Sequence, residues 1–428
     1  MGKRDSSIKL RYLDLFAGAG GLSEGFIREG FDPIAHVEMS EAACFTLKTR
    51  AAFHYLNKKN KTDAYRKYLS GEISREEFYS CIPTDVLNSV ICETINAKTL
   101  DSIFAKIDSL KGKKPIDLIV GGPPCQAYSL MGRARDPSGM LNDKRNYLFS
   151  FYIRFLQRYR PEFFVFENVT GLLSAKDSTG YKYFDMMKEG FSKSGYKVCC
   201  KVLNAKDYGV LQNRKRVFII GKRTSEEFDF SWPEPIESDS KVGVIFSDLP
   251  PLRAGQGDCR NCQLSSNPDQ WLINSQIRSK DDSLPVTFHC SRTHSKQDLE
   301  IYKIAVEQWN TLQTRLRYDD LPADLKTHKK QDIFLDRFKV VSSSDSASQT
   351  VVAHIAKDGH YYIHPDIKQN RSLTPREVAR LQSFPDDYYF ESVSGKPSRT
   401  EAYKQIGNAV PVLLSEHIAG RIKEELNG

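Results

Sequence analysis

RYLDLFAGAGGLSEGFIREGFDPIAHVE, residues 11–38, decides the fold of this chain. RYLDLF (11–16) is a short apolar strand. AGAGGLSEGFIREG follows, a glycine turn that opens into a helix, and DPIAHVEMS reads as a second strand ending near Glu38. Strand, glycine turn, helix and strand make the opening β-α-β unit of a doubly wound sheet.

Working outward, further strands are expected at IDLIV (116–120), FFVFENV (163–169), KVCCKVLN (197–204) and RVFIIGK (216–222). Helical stretches lie between them, at 145–158 and 181–194. This alternation predicts an α/β fold with a mostly parallel, Rossmann-like sheet over residues 1–229. Residues 50–82, charged and rich in tyrosine, read as an inserted helical pair on a solvated surface. TDVLNSV after them continues the sheet pattern. Regularity fails from about Trp232, which marks a smaller, irregular second domain over 230–370. Periodic signals return in 371–428. There Thr374, Pro375 and Glu377 form a helix start, with Thr374 as N-cap, Pro375 at N1 and Glu377 at N3.

Composition sets outer limits. The chain has 428 residues, 40% hydrophobic and 27% charged, which suits a soluble globular protein with a large core. The sequence holds no apolar run long enough to span a membrane, and its first residues lack the apolar core of a secretion signal. The nine cysteines are scattered and read as reduced thiols of a cytoplasmic protein. A formal charge of +8 allows an anionic partner without requiring one.

The chemistry lies at the strand ends. Gly18, Gly20 and Gly21 let the backbone pass close to a ligand, and Glu38, twenty residues beyond Gly18, suits a ribose diol. This pattern does not separate a dinucleotide from S-adenosylmethionine, since both carry an adenosine. Asp117 to Val120 leads through Gly121-Gly122-Pro123-Pro124 to Cys125, an approach fixed by two prolines. A thiol placed so, at the ligand edge of a parallel sheet, is a candidate nucleophile. FFVFENV carries Glu167 to the end of another buried strand, where desolvation would hold its proton. QNRKR places Gln212, Arg214 and Arg216 ahead of a third strand, and guanidiniums there can bind a base carbonyl. Nucleophile, proton carrier and cations together suit addition to an electron-poor ring. A thiolate adds to C6 of cytosine, a carboxylic acid supports N3, an arginine holds O2, and C5 then takes an electrophilic methyl group.

The chain resembles the DNA cytosine-5 methyltransferases. The matching stretches are DLFAGAGGLSEGF (14–26), GGPPCQAYS (121–129), FENV (166–169), QNRKR (212–216), RSLTPREVARLQSFP (371–385) and QIGNAVP (405–411), in the family's order. The resemblance implies Cys125 as nucleophile, Glu167 as the acid at N3, Arg216 on the cytosine, and Arg214 supporting Glu167 or its loop. It implies S-adenosylmethionine as cofactor, with Phe16 stacked on the adenine, Glu38 on the ribose, Asp85 at the adenine amine and Leu148 against the ring. Ala17, Gly18, Gly20, Gly21, Leu22, Met39, Pro123, Asn408 and Ala409 complete that pocket. Met39 stands where many members carry tryptophan.

The resemblance further implies a target-recognition domain over 230–370, with HCSRTHSKQ and KTHKKQD suited to phosphate and groove contacts. Duplex DNA would lie between the domains with its target base flipped out. Gln126, Ser129, Arg133, Arg135 and Gln212 are the expected DNA contacts, and the segment after Cys125 has the composition of a closing loop. The chain carries little beyond these parts, as do stand-alone prokaryotic enzymes that act, as monomers, beside a restriction endonuclease of the same specificity. Cys259 and Cys262 are a weak zinc alternative, with His289, Cys290 and His294 nearby. Three rival readings keep part of the pattern: a tRNA methyltransferase of the same chemistry, a nucleotide-binding oxidoreductase, and a silent DNA-binding homologue.

Overall fold

The computed structural model describes residues 9–124, 147–279, 284–327 and 334–427. Within them, β1 (Arg11–Leu15), β2 (Asp32–Glu38), β3 (Val90–Cys92), β4 (Leu118–Gly121), β5 (Phe163–Asn168), β6 (Tyr196–Asn204) and β7 (Lys215–Arg223) form one sheet. Its order is β3-β2-β1-β4-β5-β7-β6. The first five strands pair in parallel. β7 runs antiparallel to both β5 and β6. The apolar runs LIV and FFVF are buried throughout, as strands covered on both faces must be. The order reverses between β1 and β4. Ligands bind at such a switch point, outside the carboxyl ends of the strands.

Helices cover both faces. The turn after β1 feeds α1 (Gly21–Arg28), and α2 (Glu41–Asn57) follows β2. A Cβ on Gly21 would come within 2.3 Å of the Val410 carbonyl. Only glycine therefore lets the returning C-terminal segment seat directly on α1.

The inserted stretch is helical, as α3 (Asp63–Ser70) and α4 (Arg75–Ser80), but it is not a solvated surface element. Tyr65, Tyr68, Leu69 and Phe78 are buried in a core shared with residues 373–412. Tyr65 donates to the Asp387 carbonyl at 2.6 Å, and Arg75 donates to the Ser392 carbonyl at 2.7 Å. Its aromatic spacing marks a packed face that its lysines disguise. TDVLNSV splits into α5 (Thr84–Asn88) and the short β3. α6 (Leu100–Lys111), α7 (Leu148–Tyr159) and α8 (Tyr183–Lys193) follow, the last two close to their expected ranges.

Beyond β7 regular structure thins. β8 (Gly257–Asp258) pairs with β9 (His289–Cys290), and between them lies α9 (Gln270–Asn274). α10 (Lys296–Leu312) packs a small core of Ile301, Tyr302, Val306, Tyr318, Phe338 and Ile363. Cys259 is bonded to Cys290 in a disulfide. This corrects two expectations: not every cysteine is a reduced thiol, and Cys259 is not available to share a zinc ion with Cys262. Among the described residues no group of His, Cys, Asp and Glu is arranged to hold a metal ion.

The chain then returns through α11 (Pro375–Leu381), α12 (Arg399–Asn408) and α13 (Val412–Asn427). The expected cap of α11 is present: Thr374 Oγ1 accepts from the Glu377 amide, and Glu377 accepts from the Thr374 amide. Arg376 and Arg380 on this helix are fully buried. Arg380 lies between Asp248 and Asp386, and Arg376 donates to the carbonyls of Thr287, Pro385 and Tyr388. These bonds pin the segments around Asp248 and Thr287 to the helix. Among the described residues no helix is long and apolar enough to cross a membrane.

Candidate active site

β1, β2, β4 and β5 all deliver their last residues to one edge of the sheet. β7, being antiparallel, begins there. Glu167 and Asn168 close β5, and Arg216 opens β7. Arg216 Nε lies 2.9 Å from Glu167 Oε1. Burial pushes the Glu167 carboxyl above the usual carboxylate range, against the opposing pull of Arg216 and Arg214. With only 13% of its side chain exposed, Glu167 can hold a proton that an exposed carboxylate would lose.

The approach to Cys125 is built against this pair. A Cβ on Gly122 would stand 2.7 Å from Glu167 Oε2 and 3.0 Å from the Glu167 carbonyl, so any larger residue must displace the carboxylate. Asn168 Nδ2 donates to the Pro123 carbonyl at 3.1 Å, and its own Oδ1 accepts from the Val169 amide at 2.9 Å. The Asn of ENV thus holds the backbone two residues before Cys125. Cys125, Gln126, Ser129, Arg133 and Arg135 lie outside the described residues, as does the expected closing loop.

Arg214 and Arg216 do not act as one cationic face. Arg214 is fully buried and donates to the carbonyls of Val351 (2.5 Å) and Gly407 (3.1 Å). It ties the loop before β7 to the segment at Val351 and to α12. Gln212 is also fully buried: Nε2 donates to Leu381 O and Gln382 Oε1, and Oε1 accepts from the Val351 amide. Expected at the DNA, Gln212 instead spends its amide inside the protein.

The glycine turn after β1 lies on the same edge of the sheet. Gly18 and Gly20 adopt left-handed backbone angles, φ 56° and 83°, and Phe16 shares that region at 57°. Glu38 accepts the amides of Gly18 (2.8 Å), Met39 (2.9 Å) and Ser40 (2.7 Å), which locks the glycine turn to the end of β2. Burial raises its carboxyl, with those three amides opposing. A Cβ at Gly18 would meet nothing within 4 Å, so open space adjoins the turn. Met39 is 64% exposed. Leu148 opens α7 half-buried, Asn408 is exposed at the end of α12, and Ala409 is buried after it. Leu22 packs into the core beneath α1, and Ala17 is buried. An open space rimmed by a carboxylate, a thioether and aligned backbone fits an adenosine-bearing cofactor.

Asp85 departs from expectation. It is exposed on α5, ahead of β3 and away from the carboxyl edge. β3 instead brings Cys92 opposite Glu38, and the Glu93 amide donates to the Glu38 carbonyl at 3.0 Å. The sequence offers no cue for this, because VIC is too short to read as a strand.

HCSRTHSKQ turns three of its side chains inward, while Thr293, Ser295 and Lys296 are exposed. His289 bonds Pro250 O and Thr374, Arg292 donates to the carbonyls of Ile355, Ala356 and Lys357, and His294 bonds Ser372. Most of KTHKKQD lies outside the described residues.

The sequence model of C-5 cytosine-specific DNA methylase matches residues 10–83 and 75–424. Type II methyltransferase M.Bpa9945I of Bacillus paralicheniformis is 40% identical, over 97% of this chain and 99% of its own length. Type II methyltransferase M.DdeI of Desulfomicrobium norvegicum is 32% identical, over 96% of this chain and 88% of its own. A crystal structure described as a candidate DNA modification methyltransferase from an E. coli prophage superposes with a TM-score of 0.62. It is 23% identical and covers 98% of this chain and 100% of its own, a likeness of fold.

Proposed function

The chain belongs to the C-5 cytosine-specific DNA methylase family, and from that membership we propose the residues that carry out its reaction. It transfers a methyl group to C5 of cytosine in duplex DNA, and it serves a Type II restriction–modification system beside an endonuclease of the same specificity. The observation that carries the residue assignment is the half-buried Glu167–Arg216 pair, set against the Gly122-Pro123 approach to Cys125.

Cys125 adds to C6 of a cytosine turned out of the helix, because a thiol cannot reach C6 inside a base pair. Glu167 keeps its proton and presents it to N3, which offsets the charge that addition places on the ring. Arg216 orients Glu167 and faces the cytosine carbonyl; Arg214 holds the loop that carries Arg216. S-adenosylmethionine, when bound, would supply the methyl group that C5 takes; loss of the C5 proton to a base then expels the Cys125 sulfur from C6 and restores the ring. Phe16, Glu38, Met39, Leu148, Asn408 and the glycine turn would hold it. Glu93, brought beside Glu38 by β3, takes the place expected of Asp85. The duplex lies between the sheet domain (1–229) and the recognition domain (230–370), with 371–428 completing the first. The enzyme works in the cytoplasm, where its DNA is.

The test is base-resolved detection of 5-methylcytosine after the chain and S-adenosylmethionine are incubated with mixed-sequence duplex DNA and tRNA together. Methylation at one short duplex motif, abolished in Cys125→Ser, is expected. Methylation only in tRNA, or full activity in Cys125→Ser, overturns the reading.

A further inference from the structure

Two thiols flank Glu38, and the reaction described above uses neither. Cys44 lies in the first turn of α2, buried in a small cluster with Ala17, Leu47 and Val90. Cys92 closes β3 opposite Glu38 and is exposed. Side chains two apart on a strand share a face, so Cys92 stands on the face of Val90, against which Cys44 packs. Both are free thiols. Burial first, and then the neighbouring Cys92 thiol, push the Cys44 thiol well above its ordinary value.

The pair bears on the cofactor edge through one backbone oxygen. Cys44 Sγ donates to the Glu38 carbonyl at 3.3 Å, and the amide of Glu93, the residue after Cys92, donates to the same oxygen at 3.0 Å. The Glu38 carboxylate in turn accepts the Gly18, Met39 and Ser40 amides and so holds the glycine turn. Ala17, in that turn, packs with Cys44. A change at either sulfur therefore reaches the glycine turn through Glu38 and Ala17.

Burial sets the order of events. Of the two, Cys92 is the one open to a reagent in solution. Its thiolate attacks a low-molecular-weight disulfide, RSSR; a bond forms between Cys92 and one sulfur, and RS⁻ leaves. Cys44 then gives up its proton, attacks the Cys92 sulfur and expels the second RS⁻. The two protein thiols are oxidised to one disulfide, RSSR is reduced to two RSH, and the thiol protons go to the released thiolates. The new bond removes the S–H that the Glu38 carbonyl accepts and ties the end of β3 to α2.

We propose that Cys44 and Cys92 form a reversible disulfide that weakens cofactor binding when the surrounding thiol pool is oxidised. The effect on binding rests on the reading of the Glu38 edge as the S-adenosylmethionine site; the disulfide itself does not. The full-length chain is equilibrated in mixtures of reduced and oxidised glutathione, in a Cys125→Ser background so that the nucleophile takes no part. Peptide mapping follows the Cys44–Cys92 link, and calorimetry follows S-adenosylmethionine affinity. As the link forms, affinity falls about three- to tenfold, the worth of one hydrogen bond, and dithiothreitol restores it. Cys92→Ser and Cys44→Ala, treated alike, show neither the link nor the fall. The proposal is overturned if mapping finds the two cysteines only as free thiols or separate glutathione adducts. It is overturned equally by a link that leaves affinity unchanged, or by a fall that persists in Cys92→Ser. A reduced chain with no affinity for S-adenosylmethionine overturns the cofactor reading, and the regulatory half of the proposal with it, while mapping still decides whether the link forms.

Discussion

Arg216 Nε stands 2.9 Å from Glu167 Oε1, and the two residues come from strands that run in opposite directions. The antiparallel course of β7 is what allows this. Val217 lies opposite Asn168 and Phe218 opposite Glu167, so the start of β7 reaches the edge where β5 ends. A parallel seventh strand would carry its arginine to the far side of the sheet.

Glu167 sets a pH dependence. Its carboxyl is raised chiefly by burial, so the proton needed at N3 is present at low pH and lost as pH rises through the raised value. kcat/KM should therefore fall on the alkaline side at a pH above the usual carboxylate range. Glu167→Gln should remove that limb and lower kcat by about 10²- to 10⁴-fold while cofactor affinity holds. A variant profile with the same alkaline limb would assign the limb to another group.

Gly122 sets a geometric limit. In Gly122→Ala the new methyl would press on Glu167 Oε2, and the carboxylate must move. Displacement of about 1 Å can cost on the order of 10²-fold in rate. Activity should fall by that order while the melting temperature changes little. A fully active Ala variant would show that the Glu167 position is not critical.

Glu391 ties the inserted helices to the cofactor half. It is fully buried, accepts from Thr49 and Tyr68 at 2.6 Å each, and its carboxyl is raised by burial. For a carboxyl raised on folding, stability is highest below the unfolded value and declines as pH climbs toward the folded one. Glu391→Gln should be nearly neutral at low pH and flatten that decline. Glu391→Ala should cost roughly 1–3 kcal/mol by leaving its partners unpaired. Urea unfolding of the two variants across pH separates these outcomes.

His364 is buried and His294 half-buried, both neutral, each with its pKa pulled down to about 4 by desolvation. Groups lowered in this way favour the fold above their ordinary value near 6.5 and lose that contribution as pH falls toward 4. Melting curves should therefore drop between pH 6.5 and 4, and His364→Asn should shrink the drop. An unaltered acid limb in that variant would exclude His364 as a source.

The Cys259–Cys290 disulfide closes a loop across a sequence separation of 31 residues. Peptide mapping under non-reducing conditions should recover these two cysteines linked. Cys259→Ser should lower stability by about 3 kcal/mol relative to the oxidised protein. Free thiols at both positions in the native protein would refute the link.

By itself the sequence determined most strands of the sheet, the edge where the parallel ones end, and the arrival of Glu38 and Glu167 at that edge. Apolar runs ending in Glu38, in GGPPC and in ENV are local signals, because a buried parallel strand must be continuously apolar and must end where polar groups begin. The α11 cap was legible for the same reason: its two reciprocal bonds span only three residues. The tertiary structure alone decided the fate of the polar residues. Gln212, Arg214, Arg376 and Arg380 look like surface residues in any local window, yet all are buried on partners supplied largely from distant parts of the chain. The same holds for the inward bonds of His289, Arg292 and His294, the seating of the inserted helices and the approach of the Glu93 amide to the Glu38 carbonyl. A side chain's type states which bonds it can make. Only the folded chain states which carbonyl or carboxylate is near enough to make them, since desolvation excludes a polar group from the core unless such a partner is there.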